Sequence, residues 1–451
     1  MRHTADENEP KGHNMRTVLA FALAALAAFP ACAQWERVDI TDNRILDFAL
    51  EDNVVWLQVN GTGLVRYDGT SIVFDAASSG ISQNNWAYVV FVDSENRKWL
   101  TRDGDNTVDR LDDGGTPSDF SDDEWFYLKY PGDVANKRVF SMSEDGDGNF
   151  WFGMRDESHN RDGTLELYVP DADTVLHYDN AWEPFLTQFS DDDVRALAVD
   201  DSGRLWIGYF AAGVDIWDYG DYQTFDDDTW ENHDLATGLP SNRIFELHVA
   251  QDGRVLAGTQ SGLVIFDGGG GPPAVVDDLL GTEVRTVTTD ARGYIWVGTD
   301  EGVAQLYPNG AAIRTFGVAD GLSNPTVDRI EVHEATGTVW ALTIGESIAE
   351  TDLHWFRSDI SVPGQAMPIF PNPWRADGSR REITILGVDR GSEVEIYDVT
   401  GERVRTLSAR EEPYAWDTLD DDGIEVPSGL YIVRIEKPGG SSEFARIAII
   451  R

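Results

Sequence analysis

A calcium ion needs oxygen donors two residues apart on a loop, and Asp145, Asp147 and Asn149 stand at that spacing in the stretch DGDGN. The distal bidentate glutamate of an EF-hand is missing, and glycines at 146 and 148 suit an ordinary acidic turn. The turn is the preferred reading, and Asp420, Asp421 and Asp422 before Gly423 take the same one. The histidines beyond the N-terminal segment (His159, His177, His233, His248, His333 and His354) are scattered, and none forms an H-E-x-x-H pair. No G-x-S-x-G elbow occurs, and the glycines at 268–271, followed by Pro272 and Pro273, lack the lysine and helix of a phosphate cradle. With 80 acidic residues in the chain, no carboxylate pair stands out as acid and base. No catalytic, cofactor-binding or metal-ligating residue is therefore assigned.

Stacking chemistry has more to work with. Segments 112–137, 155–164, 170–193 and 219–241 are rich in acids and aromatics, among them Trp125, Tyr127, Tyr130, Trp182, Tyr222 and Trp230. Aromatic faces beside carboxylates suit sugar rings, so one flank of the protein is a candidate glycan surface. The competing reading is packing, because Trp125, Trp182 and Trp230 recur where Trp35 and Trp355 stand in their own segments.

These side chains sit on a repeat. Residues 200–218 read DDSGRLWIGYFAAGVDIWD, an acidic turn followed by two apolar, β-branched strands around a glycine turn. Seven copies align on Trp56, Trp99, Trp151, Trp206, Leu256, Trp296 and Trp340, spaced by 43, 52, 55, 50, 40 and 44 residues. A period near 40 to 50 residues with several short strands per unit predicts a β-propeller, here seven-bladed. Each unit should hold four strands: one before the turn, the tryptophan strand, the strand after the next glycine and an outer aromatic strand. Segments 34–40 and 354–360 are two candidates for the same outer role, so one terminus is expected to close the ring and hide an edge.

Residues 320–324 (DGLSN), 237–242 (TGLPSN), 205–208 (LWIG), 295–299 (IWVGT) and 63–68 (GLVRYD) make the repeat resemble the two-component-regulator propeller family over about residues 40–360. The resemblance is strongest in units 1 and 4 to 6. It implies a propeller of the kind that forms extracytoplasmic sensor halves of membrane histidine kinases. No kinase segment accompanies it in this chain.

Residues 18–29 form a 12-residue apolar run, too short to span a bilayer and right for the core of a signal peptide. Arg16 supplies the positive flank, and Ala31-Cys32-Ala33 the small-residue cleavage site before Gln34. Met15 is a candidate start, and Cys32, the only cysteine, is a candidate lipidation site. Cleavage after Ala33 leaves no thiol for a disulfide or a cysteine zinc site. The first 33 residues carry equal numbers of acidic and basic groups, so the net charge of −45 is unchanged by their removal. That charge argues against nucleic acid and anionic membranes as partners.

Pro363, Pro368, Pro371 and Pro373 mark residues 361–374 as a linker. Segments 382–386, 393–398, 403–407, 414–417, 429–436 and 445–450 then read as strands of a small immunoglobulin-like β-sandwich over 375–451. Phe370-Pro371-Asn372-Pro373, Trp416-Asp417, Ser428-Gly429-Leu430-Tyr431 and the tail from Arg446 to Arg451 resemble two related families. These are the flagellar hook-capping immunoglobulin-like module and the C-terminal sorting domain of type IX secretion.

The reading is thus an all-β protein with a signal peptide (1–33), a propeller (34–360), a linker and a sandwich. It would be secreted or held at the cell surface, binding a glycan or another protein and meeting the secretion machinery through its C-terminal domain. A polysaccharide lyase or hydrolase with its site in the propeller funnel is the alternative, and a detached periplasmic sensor module a third. Deleting residues 366–451 is expected to strand the propeller in the periplasm; fractionation that still finds it outside the cell would refute the sorting role.

Overall fold

The computed structural model describes residues 35–40, 44–51, 54–74, 81, 89–101, 107–115, 122–129, 137–156, 165–178, 189–191, 193–220, 222, 228–268, 272–333, 336–346, 350–357, 369–370, 374–375, 383–385, 388, 392–407, 414–436 and 442–451. The segment read as a signal peptide, with Cys32, lies outside them. Among the described residues the helical elements are three single 3-10 turns, and everything else of regular structure is strand.

Seven four-stranded antiparallel sheets follow one another along the chain. Their first strands are Ile45–Glu51, Val90–Val92, Lys137–Glu144, Val194–Val199, Ile244–Val249, Val284–Thr289 and Thr326–His333, and we number the sheets 1 to 7 in that order. Apolar clusters form between successive sheets, because one sheet cannot cover its own two faces. Trp56 and Phe74 of sheet 1 meet Val90 and Leu100 of sheet 2, and Trp206 of sheet 4 meets Ile244 and Val255 of sheet 5. Leu342 and Leu353 of sheet 7 return to Phe48 and Leu57 of sheet 1.

The acidic turn is built by one carboxylate. Asp200 accepts hydrogen bonds from the backbone of Ser202 (2.9 Å) and Arg204 (3.1 Å) and from the Trp206 indole (2.8 Å). Asp93 and Asp290 hold Trp99 (2.7 Å) and Trp296 (3.2 Å) in the same way. These three tryptophans are thereby fixed in the core with their only side-chain polar atom satisfied.

The glycine two residues after Trp151, Trp206 and Trp296 serves the neighbouring sheet. A Cβ on Gly208 would stand 2.7 Å from Ile244 Cγ2, one on Gly298 2.7 Å from Val327 Cγ1, and one on Gly153 2.6 Å from Val194 Cγ1. In each case one clash is with the apolar residue near the start of the next sheet's first strand; at Gly153 and Gly298 Ser141 Oγ and Thr286 Cγ2 of their own sheets stand closer still, at 2.4 Å. The missing side chain lets adjacent sheets close on one another.

Sheet 7 settles the closure. Its order is Thr326–His333, Thr338–Ile344, Thr351–Arg357 and then Glu36–Arg37 from the other end of the chain. Glu36 pairs with Trp355 and Arg37 with His354. Trp35 is buried beside them, stacked 5.4 Å from Phe356, and its backbone N–H donates to Asp320 O (2.9 Å). Of the two candidates for the outer position the N-terminal segment fills it, and Trp355 belongs to the third strand.

In the C-terminal region a three-stranded and a five-stranded sheet share one core. Ile383, Ile385, Tyr414 and Trp416 of the first face Val394, Ile396, Val433, Ile435, Ile447 and Ile449 of the second. Two short strands, Ile369–Phe370 and Trp374–Arg375, fall inside or at the end of the segment read as linker. Both are edge strands, the place where a proline-rich stretch costs no ladder hydrogen bond.

Gly208→Ala is expected to lower stability by about 1–3 kcal/mol through overpacking against Ile244. Measured by urea denaturation, the loss should shrink in an Ile244→Ala background; equal losses in both would rule out this contact as the cause.

Candidate binding channel

The first strand of six sheets carries the same irregularity. Pairing with the second strand skips one residue, in each case directly after a buried valine or isoleucine. The skipped residues are Leu46, Phe140, Arg195, Phe245, Arg285 and Asp328. A bulge of this kind turns a side chain out of the ladder and re-aims it. All six line one cavity of about 310 Å³, bounded by residues from the first strands of all seven sheets. This is the central channel.

Inside it, Arg329 gathers three carboxylates from three sheets. Its guanidinium lies 2.7 Å from Glu246, 2.7 Å from Glu331 and 3.6 Å from Asp47. Each acid also caps a backbone N–H of the following sheet: Asp47 that of Val90 (2.9 Å), Glu246 that of Val287 (2.8 Å) and Glu331 that of Leu50 (3.2 Å). These N–H groups belong to inner strands with no ladder partner on that side, so the acids satisfy an exposed edge.

Burial raises the pKa of Asp47 to about 7, with Arg329 and the Val90 N–H working against the shift. Glu246 and Glu331 are raised for the same first reason. Arg329 itself is held above its ordinary value: burial would lower it, but Glu246, Asp47 and Glu331 outweigh that. Burial pushes His248, which also lines the channel, down to about 4, and its Nε2 meets Thr289 Oγ1 at 2.9 Å.

The residues singled out from sequence lie elsewhere. Asp145 accepts from the backbone of Asp147 (3.0 Å) and Asn149 (2.9 Å), and Asp420 from that of Asp422 (3.0 Å) and Ile424 (2.8 Å). Trp230 sits on the outer strand of sheet 4, stacked 4.8 Å from Trp217, and Trp125 packs beside the core between sheets 1 and 2. Tyr127 is half exposed. Tyr130, Trp182, His159 and Gly269 to Gly271 lie outside the described residues. The channel residues escaped notice because the position after the first apolar residue of each unit varies in type. Aligning the units on Ile45, Val139, Val194, Ile244, Val284 and Val327 would have exposed it.

A comparison of folds decides the architecture. PorZ, an essential bacterial surface component of the type-IX secretion system of Porphyromonas gingivalis, aligns at a TM-score of 0.56 and 18% identity over 92% of this chain and 61% of its own. The extracellular domain of BT3049 from B. thetaiotaomicron, assigned to a hybrid two component system, aligns at 0.58 and 16% over 93% and 58%. A streptogramin B lyase aligns at 0.54 and 14% over 72% and 97%. The fold is a β-propeller. The propeller chain spans about three fifths of the PorZ and BT3049 structures. Residues 133–156 and 188–211, in units 3 and 4, match the two component regulator propeller family. No curated protein matches.

A carboxyl raised by folding stabilises the native state at low pH and loses that contribution as pH rises through its folded value. The Asp47 contribution should therefore fall between about pH 4 and pH 7, while His248, lowered by folding, has the opposite slope between about 6.5 and 4. Asp47→Asn is expected to flatten the first slope and leave the second, read as melting temperature against pH beside the parent. Parallel curves would show that Asp47 titrates normally.

Proposed function

We propose that this chain is an exported binding module whose ligand, a glycan or a surface protein, enters the central channel. One observation carries the reading: six bulges aim side chains as different as Phe, Arg and Asp into a single cavity. A channel that only had to be filled would carry small apolar residues there. The likeness to PorZ and to an extracellular domain supports a place outside the cytoplasm, and the net charge disfavours nucleic acid. Among the described residues no helix is long and apolar enough to cross a membrane. The C-terminal sandwich then serves secretion or attachment, and the propeller would act as the ligand-reading part of a sensing or display system.

A lyase or hydrolase reading keeps one support, the Asp47 carboxyl with its pKa near 7, a value suited to proton transfer. Against it, Asp47 already accepts the Val90 N–H and faces Arg329.

Thermal-shift measurements on the full chain against purified polysaccharides, with and without calcium, test the proposal. A saturable rise is expected with at least one glycan, and Phe245→Ala should abolish it without lowering the ligand-free melting temperature. A rise that Phe245→Ala leaves intact would place the ligand elsewhere. Product release from the bound glycan would favour the enzyme reading.

A further inference from the structure

Beside the cavity three guanidinium groups alternate with three phenyl rings: Arg195, Arg285, Phe140 and Phe245 line it, and Arg243 and Phe210 adjoin them. Arg195 lies over Phe140 (4.3 Å) and Phe210 (5.0 Å), Arg243 over Phe210 (4.2 Å) and Phe245 (5.0 Å), and Arg285 over Phe245 (5.9 Å). Two of the three arginines are neutralised. Arg195 pairs with Asp193 (2.7 Å), and Arg285 with Glu283 (2.8 Å) and Asp328 (2.7 Å). Arg243 differs: among the described residues it makes no ion pair, and its guanidinium lies against the two rings. Acidic residues outnumber Lys and Arg by 80 to 35, so a guanidinium beside the cavity without an acid needs a reason.

We infer that Arg243 is the recognition residue for a single oxyanion, a carboxylate or a sulfate ester, carried by a small saccharide at the cavity. The inference rests on the binding reading above. A guanidinium held between two rings keeps its plane fixed, and with Nε buried the edge bearing its two terminal NH2 groups is the one that can make bidentate contact. Its charge is softened by the ring faces without being cancelled, and the same faces offer apolar surface to a sugar. The overall charge of −45 repels densely charged polymers, so the fitting ligand carries one anionic group among neutral ones. A cavity of about 310 Å³ lies at the small end of ligand sites, which suits a chain end of one or two sugar units.

Calorimetric titration of the full chain with cellobiouronate, cellobiose 6′-sulfate and cellobiose tests this. One or both acidic sugars should bind at least about tenfold tighter than cellobiose, as a charge-assisted contact requires. The margin should narrow with added salt. Arg243→Gln should erase the preference and Arg243→Lys restore part of it, whereas Arg37→Gln, at the closing strand, should leave it unchanged. The two acidic probes separate carboxylate from sulfate recognition. Equal affinity for all three sugars would overturn the anion site while leaving channel binding in place. Binding of none, with the thermal-shift panel still positive, would also overturn it, as would a preference that survives Arg243→Gln.

Discussion

Sheets in this ring must approach more closely than side chains normally permit, and at three of the seams the glycine two residues after the tryptophan makes that approach possible. Where Gly153, Gly208 and Gly298 stand, the next sheet presents Val194, Ile244 or Val327 into the vacated space. That contact sets the spacing of the first strands. It also sets how wide the channel between them is. On the strands of Gly208 and Gly298 the tryptophan is held by the acidic turn, so one short segment anchors both the core of its own sheet and the seam with its neighbour.

The first strand carries two burdens that conflict. It must pack against the neighbouring sheet, which demands strict alternation of apolar residues, and it must leave an unpaired edge facing the channel. The bulge after the first apolar residue relieves the conflict by releasing one side chain from the alternation. What is released is free to vary, and in this protein it varies from Leu46 to Arg285 to Asp328. The edge itself is satisfied by Asp47, Glu246, Glu331 and Thr286, each accepting a backbone N–H from the next sheet. Arg329 then holds the three acids together in a poorly solvated space, where like charges alone would repel.

Closure follows the same economy. A ring made from one chain has a seam, and here Glu36–Arg37 supplies the last strand of sheet 7 from the opposite end. Trp35 fills the space beside Phe316 and Phe356, so the seam is sealed by packing as well as by the ladder. The core of the sandwich is a layer of aliphatics around Trp416 and Tyr431.

Much of this is written locally. The strand alternation, the tryptophan period and the turn carboxylates act over fewer than about twenty residues, and such short-range signals can be read from order alone. The strands at Glu393–Asp398, Arg403–Leu407 and Gly429–Glu436 lie where the sequence places them. Other features needed the ring. Which terminus supplies the outer strand, and that Trp355 is not on it, depends on segments about 320 residues apart finding each other. The edge strands Ile369–Phe370 and Trp374–Arg375 were hidden by their prolines. The channel was illegible for a geometric reason: Asp47, Glu246 and Arg329 share no spacing or motif, and only closure of the ring brings them within reach of one another. The sequence by itself determined the building unit; the tertiary structure decided which of its variable positions face a common space.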